Sequence, residues 1–84
     1  MDNSSKEILI KLQNIFRLIF DDNELSITEE THAENIEEWD SLNQIKIILE
    51  CEKEFSVNLN PRTINNFLNV GEMVEHLKSL NARL

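Results

Sequence analysis

The sequence has 84 residues, which is enough for one small domain with a single core. Its 16 acidic and 8 basic side chains give a formal net charge of −8, which argues against nucleic acid as a partner and favours basic protein surfaces. No apolar stretch is long enough to span a membrane, and no secretory signal pattern is visible in residues 1–30. We therefore expect one domain over residues 1–84, cytoplasmic, monomeric and not inserted in a membrane.

Helical periodicity runs through most of the chain, whereas no useful alternation of apolar and polar residues predicts a strand. Ser4 or Ser5 is the predicted cap of a first helix, with Glu7 in its opening turn. The apolar residues of this helix recur at helical spacing: Ile8, Leu12, Ile15, Phe16 and Ile19, widened by Leu9, Leu18 and Phe20. The run Asp21-Asp22-Asn23 is predicted to end it.

Residues 21–40 form a long stretch without periodicity, and they contain nine acidic side chains and no basic one. A connection of about twenty residues in a compact domain is usually functional or disordered. Leu25, Ile27 and Ile36 are predicted to anchor it to the core. A calcium-binding loop is not expected, since Ser26 replaces the turn glycine and His32 the closing glutamate of that motif.

A second helix is predicted from Ser41 to Phe55. Its polar strip contains Asn43, Lys46, Glu50, Lys53 and Glu54. Its apolar residues cover more than half the circumference: Leu42, Ile45, Ile47, Ile48, Leu49, Cys51 and Phe55. This arc predicts the central helix of the fold, with Leu49 and Phe55 buried and Cys51 a small core side chain rather than a reactive thiol.

Two shorter helices complete the prediction. Pro61 suits the first position of the third helix after Asn60 as its cap, and the predicted buried side is Ile64, Phe67 and Leu68. The last helix opens at Val70-Gly71-Glu72, and its predicted buried residues are Met73, Val74, Leu77 and Leu80. His32 and His76 have no partner at metal-ligand spacing, so we expect two surface residues and no metal site. The fold class is all-α: a small four-helix bundle with a long loop between helices 1 and 2 and a short third helix.

The hydroxyl of Ser41 has two possible roles at the start of the second helix. It can cap the helix, with Gln44 completing a capping box. Alternatively it is covalently modified, because the free N–H groups and positive dipole of a first helical turn accommodate a phosphate. No base is placed to activate Ser41, and there is no metal-binding set or Gly-rich phosphate loop. These absences argue against an enzyme.

The segment Trp39-Asp40-Ser41-Leu42 resembles the Asp-Ser-Leu motif around the phosphopantetheine serine of acyl carrier proteins. The resemblance covers nearly the whole chain. Its other matching positions are the Glu54-Phe55 pair, Leu59 and Pro61 before the third helix, and the apolar residues Phe67, Val70, Val74 and Leu77. Residues 36–42 also resemble the subset of the family with a Trp just before the motif. This register favours modification of Ser41 over simple capping.

The resemblance implies a carrier rather than a catalyst. A phosphopantetheinyl transferase would move 4'-phosphopantetheine from coenzyme A to Ser41, and the thiol of that arm would hold an acyl or aminoacyl group as a thioester. Asp40 and Leu42 belong to the same cofactor-attachment motif. Asp40 can also cap the helix, and it is expected to help the transferase bind metal. Loading and acyl-transfer enzymes with basic surfaces are the expected partners, and the predicted contact residues are Glu37, Glu38, Trp39, Asn43, Lys46, Glu50 and Lys53.

The chain also departs from the carriers of fatty-acid synthesis that it resembles. Many of those have Gly two residues before the serine, where Trp39 stands, and acids where Asn43 and Lys46 stand. A dedicated pathway is therefore favoured, such as polyketide, peptide or surface-glycan modification. Two alternatives stay open: an aminoacyl or peptidyl carrier of the same fold, and an unmodified acidic helical adaptor.

Overall fold

A computed structural model of the chain describes residues 3–37, 39–65 and 67–80. Four helices follow in order: α1 (Asn3–Ile19), α2 (Ser41–Phe55), α3 (Pro61–Asn65) and α4 (Val70–Ser79), with one 3₁₀ turn (Ala33–Asn35) inside the long loop. No strand occurs in the ranges just given. The predicted all-α fold, with its long loop between α1 and α2 and its short third helix, is confirmed.

All four helices contribute to one core. Both α2 and α4 pack against α1, so α1 is the central helix and the prediction that α2 holds this position is wrong. Residues of all four helices and of the loop are buried in this core, among them Leu12, Phe16, Ile27, Ile36, Ile47, Cys51, Phe55, Ile64, Val74 and Leu77. Among the described helices, none combines the length and the apolar character needed to cross a lipid bilayer.

The apolar arc of α2 is wider than the face that packs. Ile47, Ile48, Cys51 and Phe55 are buried, but Leu49 is 58% exposed, so its predicted burial is wrong. Leu42 and Ile45 are also exposed. The reason is geometric: α1 is the main helical neighbour of α2, and one neighbour covers only one side of a helix.

Three other leucines with a predicted inward orientation are exposed. Leu68 lies beyond the end of α3 at Asn65, and Leu80 lies at the C-terminal cap of α4, so neither belongs to a packed helical face. Leu18 lies on the outer side of α1, away from the buried stripe. Phe67 is half-buried and packs edge-on against His76, with ring centroids 5.4 Å apart.

The first helix begins earlier than its serines suggest. It already includes Asn3, so Ser4 and Ser5 lie inside the helix and the predicted capping role is wrong. Ser5 is buried because it continues the inward face one turn before Ile8. At the other end, Asp21 takes a left-handed conformation with φ 50°, and the Asp22 N–H bonds the Arg17 carbonyl at 3.0 Å. This backbone reversal ends α1 where the acidic run predicts.

Asparagines cap α3 and α4, and of the two only Asn60 was predicted as a cap. Asn60 Oδ1 accepts a hydrogen bond from the Arg62 N–H at 2.9 Å ahead of α3. Asn69 Oδ1 accepts one from the Glu72 N–H at 3.0 Å ahead of α4. In both cases the amide oxygen satisfies a backbone donor that has no partner within its own helix.

The long loop is held at several points by its backbone. The Ile27 N–H bonds Gln13 Oε1 on α1 at 3.0 Å, and Ile27 and Ile36 are buried as predicted. The first turn of α4 contributes two more bonds, from the Val70 N–H to the Thr31 carbonyl and from the Gly71 N–H to the Glu29 carbonyl, each at 2.8 Å. A Cβ at Gly71 would meet the Glu29 oxygen at 3.1 Å, so glycine permits this close approach.

A pair of alanine substitutions tests the assignment of a buried inner face and an exposed outer face to α2. Phe55→Ala empties a fully buried site and should lower the free energy of unfolding by about 3–5 kcal/mol, most of the stability of a small domain. Leu49→Ala, from the same helix, should change it by less than about 1 kcal/mol because Leu49 is largely exposed. Chemical denaturation followed by circular dichroism measures both, and equal losses would contradict the assigned faces.

Candidate functional site

The start of α2 is fixed by Asp40. Its backbone is extended, with φ −109° and ψ −175°, and its Oδ1 accepts a hydrogen bond from the Asn43 N–H at 2.9 Å. Asp40 is therefore the N-cap, and Ser41 is the first residue inside the helix. The predicted capping box of Ser41 and Gln44 is wrong, because the cap lies one residue earlier and Gln44 bonds elsewhere.

Ser41 presents its side chain at the exposed end of this helix. No hydrogen bond to its hydroxyl comes from residues 3–37, 39–65 or 67–80. The backbone N–H groups of the first helical turn and the positive end of the helix dipole surround the position. The residue thus combines an accessible nucleophilic oxygen with an environment that favours negative charge.

Trp39 connects the end of the loop to two helices. Its ring packs edge-on against Phe16 of α1, with centroids 5.1 Å apart and an angle of 81° between the planes. Its Nε1–H donates a hydrogen bond to Gln44 Oε1 of α2 at 2.5 Å. These two contacts hold the loop beside the first turn of α2. Gln44 accepts the Trp39 hydrogen bond instead of completing the predicted capping box.

An open hollow of about 460 Å³ lies next to Ser41. Trp39, Asp40 and Ser41 form part of its wall. The other walls come from the long loop, α2, α3, α4 and the segment between α3 and α4, and they include His32, Ala33, Gln44, Ile45, Ile48, Ile64, Asn65, Phe67, Leu68, Asn69 and Met73. The lining is therefore largely apolar and includes several amide side chains.

A family model described as phosphopantetheine attachment site matches residues 11–77, which is most of the chain. The chain belongs to the acyl carrier protein family. It is 30% identical over 76 residues to an acyl carrier protein of Lactobacillus acidophilus, covering 90% of this chain and 95% of that protein. Its fold matches the solution NMR structure of the holo acyl carrier protein from Geobacter metallireducens with a TM-score of 0.78 and 30% identity, covering 86% of this chain and 83% of that one.

Membership in this family makes the protein a carrier and not an enzyme, with phosphopantetheine as its prosthetic group. Acyl carrier proteins interact with a phosphopantetheinyl transferase and with acyl-processing enzymes. The unmodified adaptor is thus the alternative that the comparisons disfavour.

The predicted partner-binding residues of the carrier form two neighbouring zones. Glu37 is exposed at the end of the loop, whereas Glu38 lies outside the described residues. On α2, Lys46 and Lys53 are exposed, and Asn43 and Glu50 are half-buried. Trp39 is half-buried and contributes to the fold as well as to the surface. The loop end is therefore acidic, and the adjoining face of α2 is mixed in sign.

Cys51 lies in the core, as predicted. Burial, with smaller contributions from Glu50, Glu52 and Glu54, raises the pKa of its thiol to about 12. The thiolate is the reactive form of cysteine, so this thiol is nearly inert near neutral pH. A phosphopantetheine thiol on this carrier would therefore be chemically distinguishable from Cys51.

His32 has a role that the sequence analysis missed. The Nδ1 atom of its ring accepts a hydrogen bond from the Glu34 backbone N–H at 3.3 Å, and the His32 backbone N–H donates one to Asn35 Oδ1 at 3.0 Å. It thereby caps the 3₁₀ turn in the acidic loop. The signal was the Asn three residues after His32, which is the spacing of a capping box. Within the described residues, no three His, Cys, Asp or Glu side chains group as metal ligands.

Proposed function

We propose that Ser41 carries the 4'-phosphopantetheine group and that the carrier presents acyl intermediates as thioesters on the thiol of this arm. The observation that carries the proposal is the division of roles at the start of α2. Asp40 supplies the cap, so the exposed hydroxyl of Ser41 is not required to hold the helix. A phosphate attached there would meet the positive end of the helix dipole.

Activation of Ser41 is assigned to a transferase, since within the described residues no side chain hydrogen bonds the Ser41 hydroxyl. The Ser41 oxygen would attack the phosphorus that carries the pantetheine half of coenzyme A and lose its proton to the transferase. The pyrophosphate P–O bond would break, the adenosine half would leave as adenosine bisphosphate, and a phosphodiester would join Ser41 to the arm. One Asp40 oxygen is occupied by the Asn43 N–H, which leaves Oδ2 on an exposed side chain to assist metal binding by the transferase. Leu42, exposed beside Ser41, would give the transferase an apolar contact.

The charge pattern favours a dedicated biosynthetic pathway. Lys46 is exposed on α2, at a position where the resemblance to fatty-acid-synthesis carriers implies an acid. A lysine there would repel a basic enzyme surface and so reduce use by housekeeping enzymes. The exposed acids Glu34, Glu37 and Asp40 would still attract basic groups to the loop end, because charges within a Debye length of about 8–10 Å act as one local field.

Modification of the purified protein tests the attachment site. With coenzyme A and a broad-specificity phosphopantetheinyl transferase, the wild type should gain one phosphopantetheine per chain by intact mass and one thiol that reacts readily at pH 8. Cys51 should contribute no such thiol because its pKa is raised to about 12.

The matched variants are Ser41→Ala and Ser4→Ala, which both alter an exposed serine at or near a helix start. Ser41→Ala should gain nothing and melt close to the wild type, since Asp40 remains the cap. Ser4→Ala should be modified like the wild type. Modification of Ser41→Ala, or failure of the wild type with several transferases, would show that the proposed site is wrong.

Charge variants of the holo carrier test the recognition proposal. Lys46→Glu should raise the rate at which an acyl-loading enzyme of fatty-acid synthesis uses the carrier by roughly two- to fivefold, the scale of one exposed ion pair. Glu37→Lys should lower the rate with a basic-surfaced transferase at low salt, and the loss should shrink as salt screens the charge. Glu75→Lys, exposed on α4, is the control for net charge. Unchanged rates for Lys46→Glu would remove the argument for a dedicated pathway.

A further inference from the structure

The outer face of α2 carries a continuous apolar stripe formed by Leu42, Ile45 and Leu49. These side chains are 62%, 53% and 58% exposed. At about 100° per residue they lie within a sector of about 60° and extend along two helical turns, or about 10 Å. Leu42 directly follows Ser41 in the chain, and Ile45 also lines the hollow beside Ser41.

The stripe contributes little to the fold. The packed face of α2 is its opposite side, where Ile47, Ile48 and Phe55 are buried. Large apolar side chains grouped on a surface are a feature of interaction sites rather than of a free helix face. The position of the stripe next to Ser41 means that any protein seated on it would lie beside the proposed phosphopantetheine arm.

Two lysines border the stripe along one edge. In the same helical projection Lys53 and Lys46 lie about 20° and 40° beyond Leu42, on the side away from Ile45. Both are exposed, and neither is within 4 Å of a carboxylate of the described residues. Glu54, further round the helix, is paired with Lys11 of α1 at 3.7 Å. Glu50, which is half-buried, lies about 40° beyond Lys46 on the side away from the stripe. The charges nearest the stripe on this edge are therefore the two lysines, in a chain whose net charge is −8.

We infer that the α2 stripe docks on a partner enzyme whose surface is apolar at its centre and carries carboxylates along the edge that faces Lys46 and Lys53. Charge complementarity selects this partner, because a uniformly basic surface would place like charges opposite both lysines as they become desolvated. The inference deepens the proposed function and rests on it, since the partner is an enzyme that acts on the arm at Ser41. Such a partner would be basic only where it faces the acidic loop end.

Two helical peptides of identical composition and net charge zero serve as probes. Both have the same leucine-rich face, which is bordered by glutamates in one peptide and by lysines in the other, with the remaining charges placed on the far side. Equal net charge removes the overall attraction or repulsion by the acidic carrier. Binding is followed by ¹⁵N amide shifts of α2 at moderate salt, with both apo and holo protein.

The glutamate-bordered peptide should bind the wild type roughly four- to twenty-fivefold more tightly, since each of two exposed ion pairs changes affinity by a factor of about two to five. Lys46→Glu with Lys53→Glu should reverse the order. The control, Lys6→Glu with Arg62→Glu, changes two exposed basic residues elsewhere and should preserve it. Leu49→Ser should weaken both peptides, whereas Ile10→Ser, on the exposed side of α1, should weaken neither.

Equal or tighter binding of the lysine-bordered peptide to the wild type would overturn the inference, as would an unchanged order in the double variant or the absence of α2 shifts with either peptide. Intact mass separates this result from a failure of the proposed function. If the protein is modified at Ser41 but prefers the lysine-bordered peptide, only the docking inference is wrong. If several transferases leave the protein unmodified, the Ser41 proposal is wrong, whichever peptide binds.

Discussion

The edge-on contact between Trp39 and Phe16 determines where the acidic loop ends and where α2 begins. A loop of about twenty residues has a large closure entropy, and its acidic side chains repel one another. The Trp39 ring opposes both effects by packing on α1, and its hydrogen bond to Gln44 attaches the same residue to α2. With Trp39 held at both points, the next residue, Asp40, lies in position to cap the helix and Ser41 is presented at its exposed end.

The two sides of α2 serve different purposes. The inner side contributes Ile47, Ile48 and Phe55 to the core against α1, which fixes the helix in place. The outer side keeps its large apolar residues exposed, beside Lys46 and Lys53 and next to the hydroxyl proposed for modification. A carrier must be visited by several enzymes in turn, so an exposed and chemically distinctive face next to the arm is useful even though it adds little stability.

Sequence periodicity was sufficient to find the four helices, because buried stripes and the asparagine cap at position 60 are local signals. It was not sufficient to find which side of α2 is covered. An apolar arc shows where a helix could pack, whereas burial depends on how many neighbours the topology supplies, and α1 is the main helical neighbour. Leu49 was misplaced for this reason.

The candidate site was predicted in part. The motif around Ser41 came from the resemblance, but the allocation of the cap to Asp40 depends on a one-residue difference in where the helix starts, and local propensity does not resolve that. The hydrogen bond from Trp39 to Gln44 could not be predicted from the sequence either. A glutamine three residues after Ser41 is compatible both with a capping box and with a side-chain contact to Trp39.

The central claim is that Trp39 holds Ser41 at the exposed start of α2. It is tested most directly by the rate at which a phosphopantetheinyl transferase modifies Trp39 variants. Trp39→Ala removes both contacts and should be modified more slowly by about two- to tenfold, the scale of one aromatic pair. Trp39→Phe keeps a ring against Phe16 and loses only the bond to Gln44, so it should fall between. Circular dichroism should show that both variants keep their helices. Modification of a folded Trp39→Ala at the wild-type rate would contradict a role for Trp39 in presenting Ser41.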